Sequence, residues 1–386
     1  MARLVLTILL FMLSLLCIGS APTIELWYVA ILATEFSWIF LAISALSLLW
    51  GFRVKRYRSA GSFFGVIAFL LFLVPVAGAY RISTHLDKEM GAAFGARDLH
   101  TKPHSDKKPF SFWQMVAGIG ESQVPYTTYP YGSCKDGPLT LDFYPSAING
   151  DKPCVIVIHG GSWTSGDSRQ LPELNSHLAA IGYHVASINY RLVPGYKSPA
   201  PIEDVQAVIK YLKGHAGELS IDTNNFVLLG RSAGGQIALV AAYTLHDPGI
   251  KGIIDFYGPA DMVWGYAHPA NPLVLHSCKL MEDYLGGTYK QVPVNYTASS
   301  ATEFVTAGTL PTLILHGQND PLVAYEHSIR LDKKLHEEGV KHFFLTLPWA
   351  THGFDYSLNG PGGQLSTYAI EQFLDRVVHP EKAIKY

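Results

Sequence analysis

Hydrophobic and polar positions divide this chain into two unlike regions. Residues 4–21, 26–50 and 60–80 are apolar stretches, interrupted only by Glu35, and each reaches the ~18–20 residues that cross a bilayer as a helix. Trp27, Tyr28, Trp50 and Tyr80 fall at their ends, where amphipathic rings favour the membrane interface. The pattern predicts a membrane domain over 1–80 with about three transmembrane helices. The first is expected to stay uncleaved, because a cut after Ala21 would leave Pro22 at the new terminus. The loop 51–59 carries Arg53, Lys55, Arg56 and Arg58 and is expected to remain cytoplasmic, so that three spans carry everything after Tyr80 to the exported side. Glu35, with no second ionisable residue deep in the other spans, reads as a packing residue. Residues 81–110 are polar, punctuated by Gly and Pro, and read as a juxtamembrane linker.

From residue 111 to 386 the pattern alternates. Runs at 123–129, 139–144, 154–159, 184–190, 225–230, 250–258, 310–317 and 341–348 read as strands. Stretches near 171–181, 201–215, 232–245, 323–338 and 361–378 read as helices. Continuous apolar runs such as "CVIVIH" suit strands covered on both faces, and strands alternating with helices imply an α/β domain built on a doubly wound, mostly parallel sheet. Residues 259–309 break the rhythm and read as a cap insertion, with Met262, Trp264, Tyr266, Leu280, Met281 and Tyr284 available as pocket walls.

Charge narrows the function classes. The chain holds 29 Lys and Arg against 31 Asp and Glu; the first 80 residues contain five and two of these, which leaves 24 basic and 29 acidic residues in the rest. A domain with a net of about −5 and no basic stripe gives nucleic-acid binding no electrostatic support. Four cysteines do not make a disulfide framework in a chain of this size, and no CxxC or HExxH spacing suggests a metal.

Candidate chemistry gathers at the ends of the predicted strands. "LLGRSAGGQ" (228–236) sets Ser232 between an apolar strand and an apolar helix, with Gly230 and Gly234 relieving the crowding of a sharp turn. "HGGSW" (159–163) follows another strand and offers backbone amides to a developing oxyanion, opposite Ala233 N–H. A base and an acid are then expected in the order Ser, acid, His. His352 in "LPWATHGFDY" and Asp320 in "LILHGQNDPLV" follow two successive strands; Asp255 and Asp261 are the alternative acids.

Taken jointly, HGGSW, "NYRLVP" (189–194), "PAPIEDV" (199–205), GRSAG, HGQND and THGF make residues 123–378 resemble the α/β-hydrolase superfamily, in its esterase/lipase branch with an HGG loop. Trp163 makes the chain similar to the feruloyl-esterase and kynurenine-formamidase-like members, whereas Ser162 and Arg231 depart from the HGGG and GDSAG of hormone-sensitive-lipase-like enzymes. The resemblance implies hydrolysis of a small-molecule carboxylic ester through an acyl-enzyme on Ser232. His352 would serve as base, Asp320 would orient it, the amides of Gly160, Gly161 and Ala233 would hold the oxyanion, and no cofactor would be needed. In these motifs Asp167, Tyr190, Arg191, Glu203 and Asp204 read as loop anchors. An acyltransferase using the same serine, or an inactive hydrolase-fold binding module, are the alternative readings.

Overall fold

The computed structural model describes residues 1–53, 56–95, 108–118 and 123–378. Lys55 of the predicted basic loop and residues 96–107 of the predicted linker lie outside the described residues.

The apolar runs after residue 123 become strands: β1 (Thr127–Cys134), β2 (Gly137–Tyr144), β3 (Lys152–Ile158), β4 (His184–Ile188), β5 (Ile221–Arg231), β6 (Ile250–Phe256), β7 (Thr312–Gly317) and β8 (His342–Leu347). They form one sheet in the order β1-β2-β4-β3-β5-β6-β7-β8. β4, β3 and β5 to β8 run parallel, while β1 and β2 add an antiparallel hairpin at one edge. β1 starts four residues later than its sequence pattern suggests. Its Pro130 sits at a register shift on the edge strand, where a missing N–H does least harm to the ladder.

In the N-terminal region lie α1 (Ala2–Ser14), α2 (Ile24–Glu35), α3 (Ser37–Trp50) and α4 (Arg58–Ser83), followed by α5 (Leu86–Phe94) and α6 (Phe112–Ala117). The strands are then joined by α7 (Pro172–Ala180), α8 (Ala200–Gly214), α9 (Ala216–Leu219) and α10 (Ala233–Thr244). The insertion holds α11 (Met262–Ala267), α12 (Ser277–Leu285) and α13 (Pro293–Ala298), and α14 (Glu326–Glu337) and α15 (Pro361–Val378) complete the domain. Apolar residues of α8, α10 and α14 pack in a core on one face of the sheet, and those of α5, α7 and α15 pack on the other. The helices thus cover both faces, as a doubly wound sheet requires.

The first apolar region differs from the three straight helices its composition suggests. The stretch 4–21 is α1 continued by a 3-10 turn to Cys17. The stretch 26–50 is two helices, α2 and α3, that meet at 78° around Phe36. Among the described residues α4 alone is long and apolar enough to cross a membrane, and the bent pair is a second candidate only if a broken span is counted. The break coincides with a change of partner. Trp27, Ile31 and Glu35, spaced one helical turn apart, face the sheet domain: Trp27 Nε1 donates to His352 O at 2.9 Å, and Glu35 Oε2 accepts from the amides of Gly362 and Gly363 at 3.0 and 3.3 Å. Glu35 is therefore not at mid-span. It caps the N-terminus of α15, where a carboxylate meets unsatisfied amides and the positive end of the helix dipole.

The far end of α4 also belongs to the sheet domain, since Val74, Val76, Ala79 and Ile82 pack into the same core as α15. Gly78 lies flat on the Trp349 ring; a Cβ there would stand 2.5 Å from the indole. Gly78→Leu is expected to overpack this contact, lower stability by about 1–3 kcal/mol and lower the melting temperature of the full chain. Thermal unfolding in detergent measures it.

Candidate active site

Ser232 stands at the turn from β5 into α10 with φ +54° and ψ −119°, a backbone conformation that a side-chain-bearing residue adopts only when its surroundings enforce it. The enforcement is visible. Ser232 N–H donates to Phe256 O at 2.8 Å, and Ser232 O accepts the amides of Gly235 and Gln236 at the head of the helix. A Cβ on Gly230 would collide with Gly234 O, and one on Gly234 would collide with the carbonyls of Ile158 and His159. Both glycines are steric necessities.

The loop after β3 runs alongside. Gly161, Ser162 and Trp163 all have positive φ, and a Cβ on Gly160 would touch Ser232 Cβ at 3.3 Å. Trp163 fixes the loop by donating to Gln236 Oε1 at 3.1 Å and stacking on Tyr284 with ring centres 4.5 Å apart. Gly160 N–H, however, donates to Gln170 Oε1 at 2.7 Å. This corrects the expectation of three free amides and leaves those of Gly161 and Ala233. No motif announced Gln170. His159 stacks on Tyr190, whose hydroxyl donates to His159 O, and burial lowers the pKa of the imidazole; it braces the loop.

Of the three candidate acids, Asp320 is the one that meets His352: its Oδ2 lies 2.6 Å from His352 Nδ1. Its Oδ1 accepts the amides of Leu322 and Val323 at 2.8 and 2.9 Å. A second histidine, His316, reaches the same Oδ2 at 3.0 Å, while its Nδ1 is 2.7 Å from Ser328 Oγ. Burial opposes ionisation of Asp320, yet the charge of His352 and the hydrogen bonds of both histidines hold its carboxyl well below the usual range. Asp255 instead accepts Gly258 N–H at 3.0 Å, and burial pushes its carboxyl up to about 7 against that bond. Asp261 caps α11 through Trp264 N–H and pairs with Arg330 at 2.8 Å. The i, i+4 spacing of His316 and Asp320 in "HGQND" was the available signal for the second histidine.

Arg231, immediately before Ser232, is fully buried and pairs with Asp355 at 2.5 Å, three residues beyond His352. Tyr257 donates its hydroxyl to the same carboxylate and lays its ring 4.2 Å from that of His352. This network ties the serine turn to the histidine loop. The reading from sequence missed Asp355, although a buried arginine calls for a buried anion. Arg191 pairs with Asp204 at 2.7 Å and Glu203 at 2.9 Å, as loop anchors do.

Ser232, Ala233 and Asp320 line a cavity of about 130 Å³. Asp320, which bonds His352, thus shares this pocket with Ser232, while no hydrogen bond joins Ser232 Oγ to His352 among the described residues. The insertion supplies part of the wall through Gly265, His268, Pro269, Leu280 and Met281. Of the six side chains expected to wall it, Leu280 and Met281 do. Met262 and Tyr284 are buried beneath, Trp264 stacks on His268, and Tyr266 packs edge-on to Tyr296. No group of residues able to hold a metal is present among the described residues.

The BD-FAE family model matches residues 141–335. The chain is 27% identical to the probable carboxylic ester hydrolase LipM of Mycobacterium tuberculosis, over 92% of this chain and 88% of that protein, and 27% identical to esterase LipQ of the same organism, over 72% and 70%. Among solved structures, the acetyl ester-xyloside bifunctional hydrolase from Caldicellulosiruptor lactoaceticus superposes with a TM-score of 0.50 at 25% identity, over 60% of this chain and 90% of that one. A bacterial heroin esterase superposes with a TM-score of 0.58 at 20% identity, over 69% and 88%, a likeness of fold alone. With the family match covering half of its length, the chain belongs to the BD-FAE family and is a carboxylic-ester hydrolase of the α/β-hydrolase fold.

Proposed function

We propose that this enzyme is a membrane-anchored serine esterase working through Ser232, His352 and Asp320. The observation that carries the reading is the 2.6 Å bond from His352 Nδ1 to Asp320, a residue that lines the same pocket as Ser232. With Nδ1 held by the carboxylate, His352 Nε2 is the nitrogen left to take the serine proton. Ser232 Oγ attacks the ester carbonyl, the proton passes to His352, and the amides of Gly161 and Ala233 stabilise the oxyanion. Collapse of the tetrahedral intermediate expels the alcohol, which leaves with the proton from His352. Water, deprotonated by the same imidazole, then attacks the acyl-serine; collapse releases the acid as His352 returns the proton to Ser232 Oγ.

The anchor rests on the construction of the α1, α3 and α4 bundle, which buries small and polar residues alongside a few apolar ones and exposes large apolar ones. Thr7, Ser44, Ser47, Gly61 and Gly65 are buried, while Leu9, Met12, Leu46, Leu49, Phe63 and Leu70 are exposed. Small and polar residues between helices with large apolar ones outside are the pattern of helices packed in lipid; in water such a surface would aggregate. Buried Arg3 bonds Ser47 O, Arg58 O and Ser62 Oγ, so the start of α1, the end of α3 and the start of α4 meet at one end, beside the basic loop. By the distribution of positive charge that end is cytoplasmic and the hydrolase domain is exported.

Three results are expected. Fluorophosphonate should label Ser232, and Ser232→Ala should abolish both labelling and turnover; Asp320→Asn should lower kcat by on the order of 10⁴-fold, whereas Asp255→Asn should change it little. A small cavity of about 130 Å³ walled on one side by Leu280 and Met281 predicts a preference for acetyl to butyryl esters over octanoyl ones. Leu280→Ala and Met281→Ala should then shift an aryl-ester panel toward longer chains, with Met281→Ala also lowering the melting temperature because that side chain is buried. Last, protease added outside spheroplasts should digest the hydrolase domain before the membrane is lysed.

A further inference from the structure

The histidine loop and the start of α15 are held along one side by a helix that belongs to the N-terminal region. Trp27, Ile31 and Glu35 stand at i, i+4 and i+8 on α2, one face of the helix. Each meets a successive part of the segment that follows β8. Trp27 Nε1 donates to the carbonyl of His352 itself at 2.9 Å, with its ring centre 6.2 Å from the imidazole. Ile31 lies under Gly353, where a Cβ would stand 3.4 Å from Ile31 Cδ1. Gly353 has φ +77°, so the chain turns there in a conformation that favours glycine. Glu35 accepts the amides of Gly362 and Gly363 and lies so close to Gly360 that no side chain fits there. At its other end α2 reaches the insertion: Ile24 N–H donates to Leu273 O at 3.1 Å, and Asn271 Nδ2 donates to Pro22 O at 3.2 Å.

We propose that α2 is a positioning element of the active site, with Trp27 fixing the place of His352 through the hydrogen bond to its carbonyl. The proposal rests on the serine-esterase reading above and adds a residue from outside the hydrolase domain. The imidazole is already held at Nδ1 by Asp320 and on one flank by Tyr257. Those contacts set the tilt of the ring. The backbone that carries the ring turns sharply at Gly353, and Trp27 is the side chain that bonds that backbone. A base displaced by as little as 1 Å can lose on the order of 100-fold in rate, so a single bond to the His352 carbonyl is a sensitive point. Trp27 lines neither the acyl cavity nor the oxyanion loop, so its effect should fall on the proton-transfer step and not on substrate binding.

The test uses the full chain in one detergent. Trp27→Phe keeps a ring in place and removes the donor. It is expected to lower kcat by about 10- to 100-fold, to leave KM within about twofold, and to slow fluorophosphonate labelling of Ser232 in the same proportion as kcat, with a melting temperature close to the parent. Ile31→Ala, which leaves the hydrogen bond and removes only the support under Gly353, should give a smaller loss of the same kind. Leu32→Ala, on the exposed side of α2, should match the parent. A folded Trp27→Phe protein with kcat and labelling rate within twofold of the parent would overturn the proposal, as would a loss carried by KM alone. A parent enzyme that labels at a residue other than Ser232 would instead overturn the serine-esterase reading on which the proposal rests.

Discussion

No side chain fits where β3, β5 and α10 converge, and the candidate site is built around that close approach. Gly230, Gly234 and the carbonyls of Ile158 and His159 are in direct backbone contact. Two adjacent parallel strands therefore end side by side, one leading into Gly160 and the other into Ser232. The turn that follows is too tight for relaxed dihedrals, and Ser232 takes the strained conformation. Strain of this kind, of order 1–3 kcal/mol per residue, persists because the sheet on one side and the buried helix α10 on the other leave no alternative path. Once the turn is fixed, the amide of Ala233, the loop 160–163 and the pocket between them have their places.

Much of the sheet was legible because its strands are apolar runs of the right length, flanked by turn residues. β3, β4, β6, β7 and β8 fall within a few residues of the runs that predict them. The serine, the histidine and Asp320 were legible for a related reason: each closes or follows a strand, and the topology brings the carboxyl ends of parallel strands together. What stayed hidden involves groups far apart in sequence with no periodic signature. Gln170 reaches Gly160 N–H from a loop ten residues on, and Asp355 meets Arg231 across 124 residues. The bend at Phe36 was hidden for a different reason. A helix that packs on a protein core and one that packs in lipid can share the same apolar composition, so hydropathy cannot separate α2 from α3.

The N-terminal region is accordingly more than an appendage. Its bundle shares α4 with the core under α15, and its second helix supplies a carboxylate to the amides at the start of α15. Glu35 in a purely lipid setting would be an unpaired, expensive group; against α15 it meets donors that the helix cannot satisfy itself. A fragment beginning at residue 81 would lose that cap, the Trp27 bond to His352 O and the support under Gly353 together. In the proposed arrangement, attachment to the membrane and assembly of the catalytic histidine loop are properties of the same helices.

The electrostatics of the Asp320 cluster show how one buried carboxylate can be stable and useful at once. A buried anion needs hydrogen bonds on every lone pair, and Asp320 has two amides on Oδ1 and two imidazoles on Oδ2. His316 also stands within reach of Val323 O at 3.1 Å, so its Nε2 faces two acceptors and must be the protonated nitrogen, with Nδ1 left to Ser328. That arrangement gives the carboxylate hydrogen bonds from two imidazoles and two amides. The charge of Asp320 is then free to stabilise the imidazolium that forms on His352 in the proposed reaction. Asp255, with one amide and a carboxyl pushed up to about 7, lacks both the partners and the charge for the task.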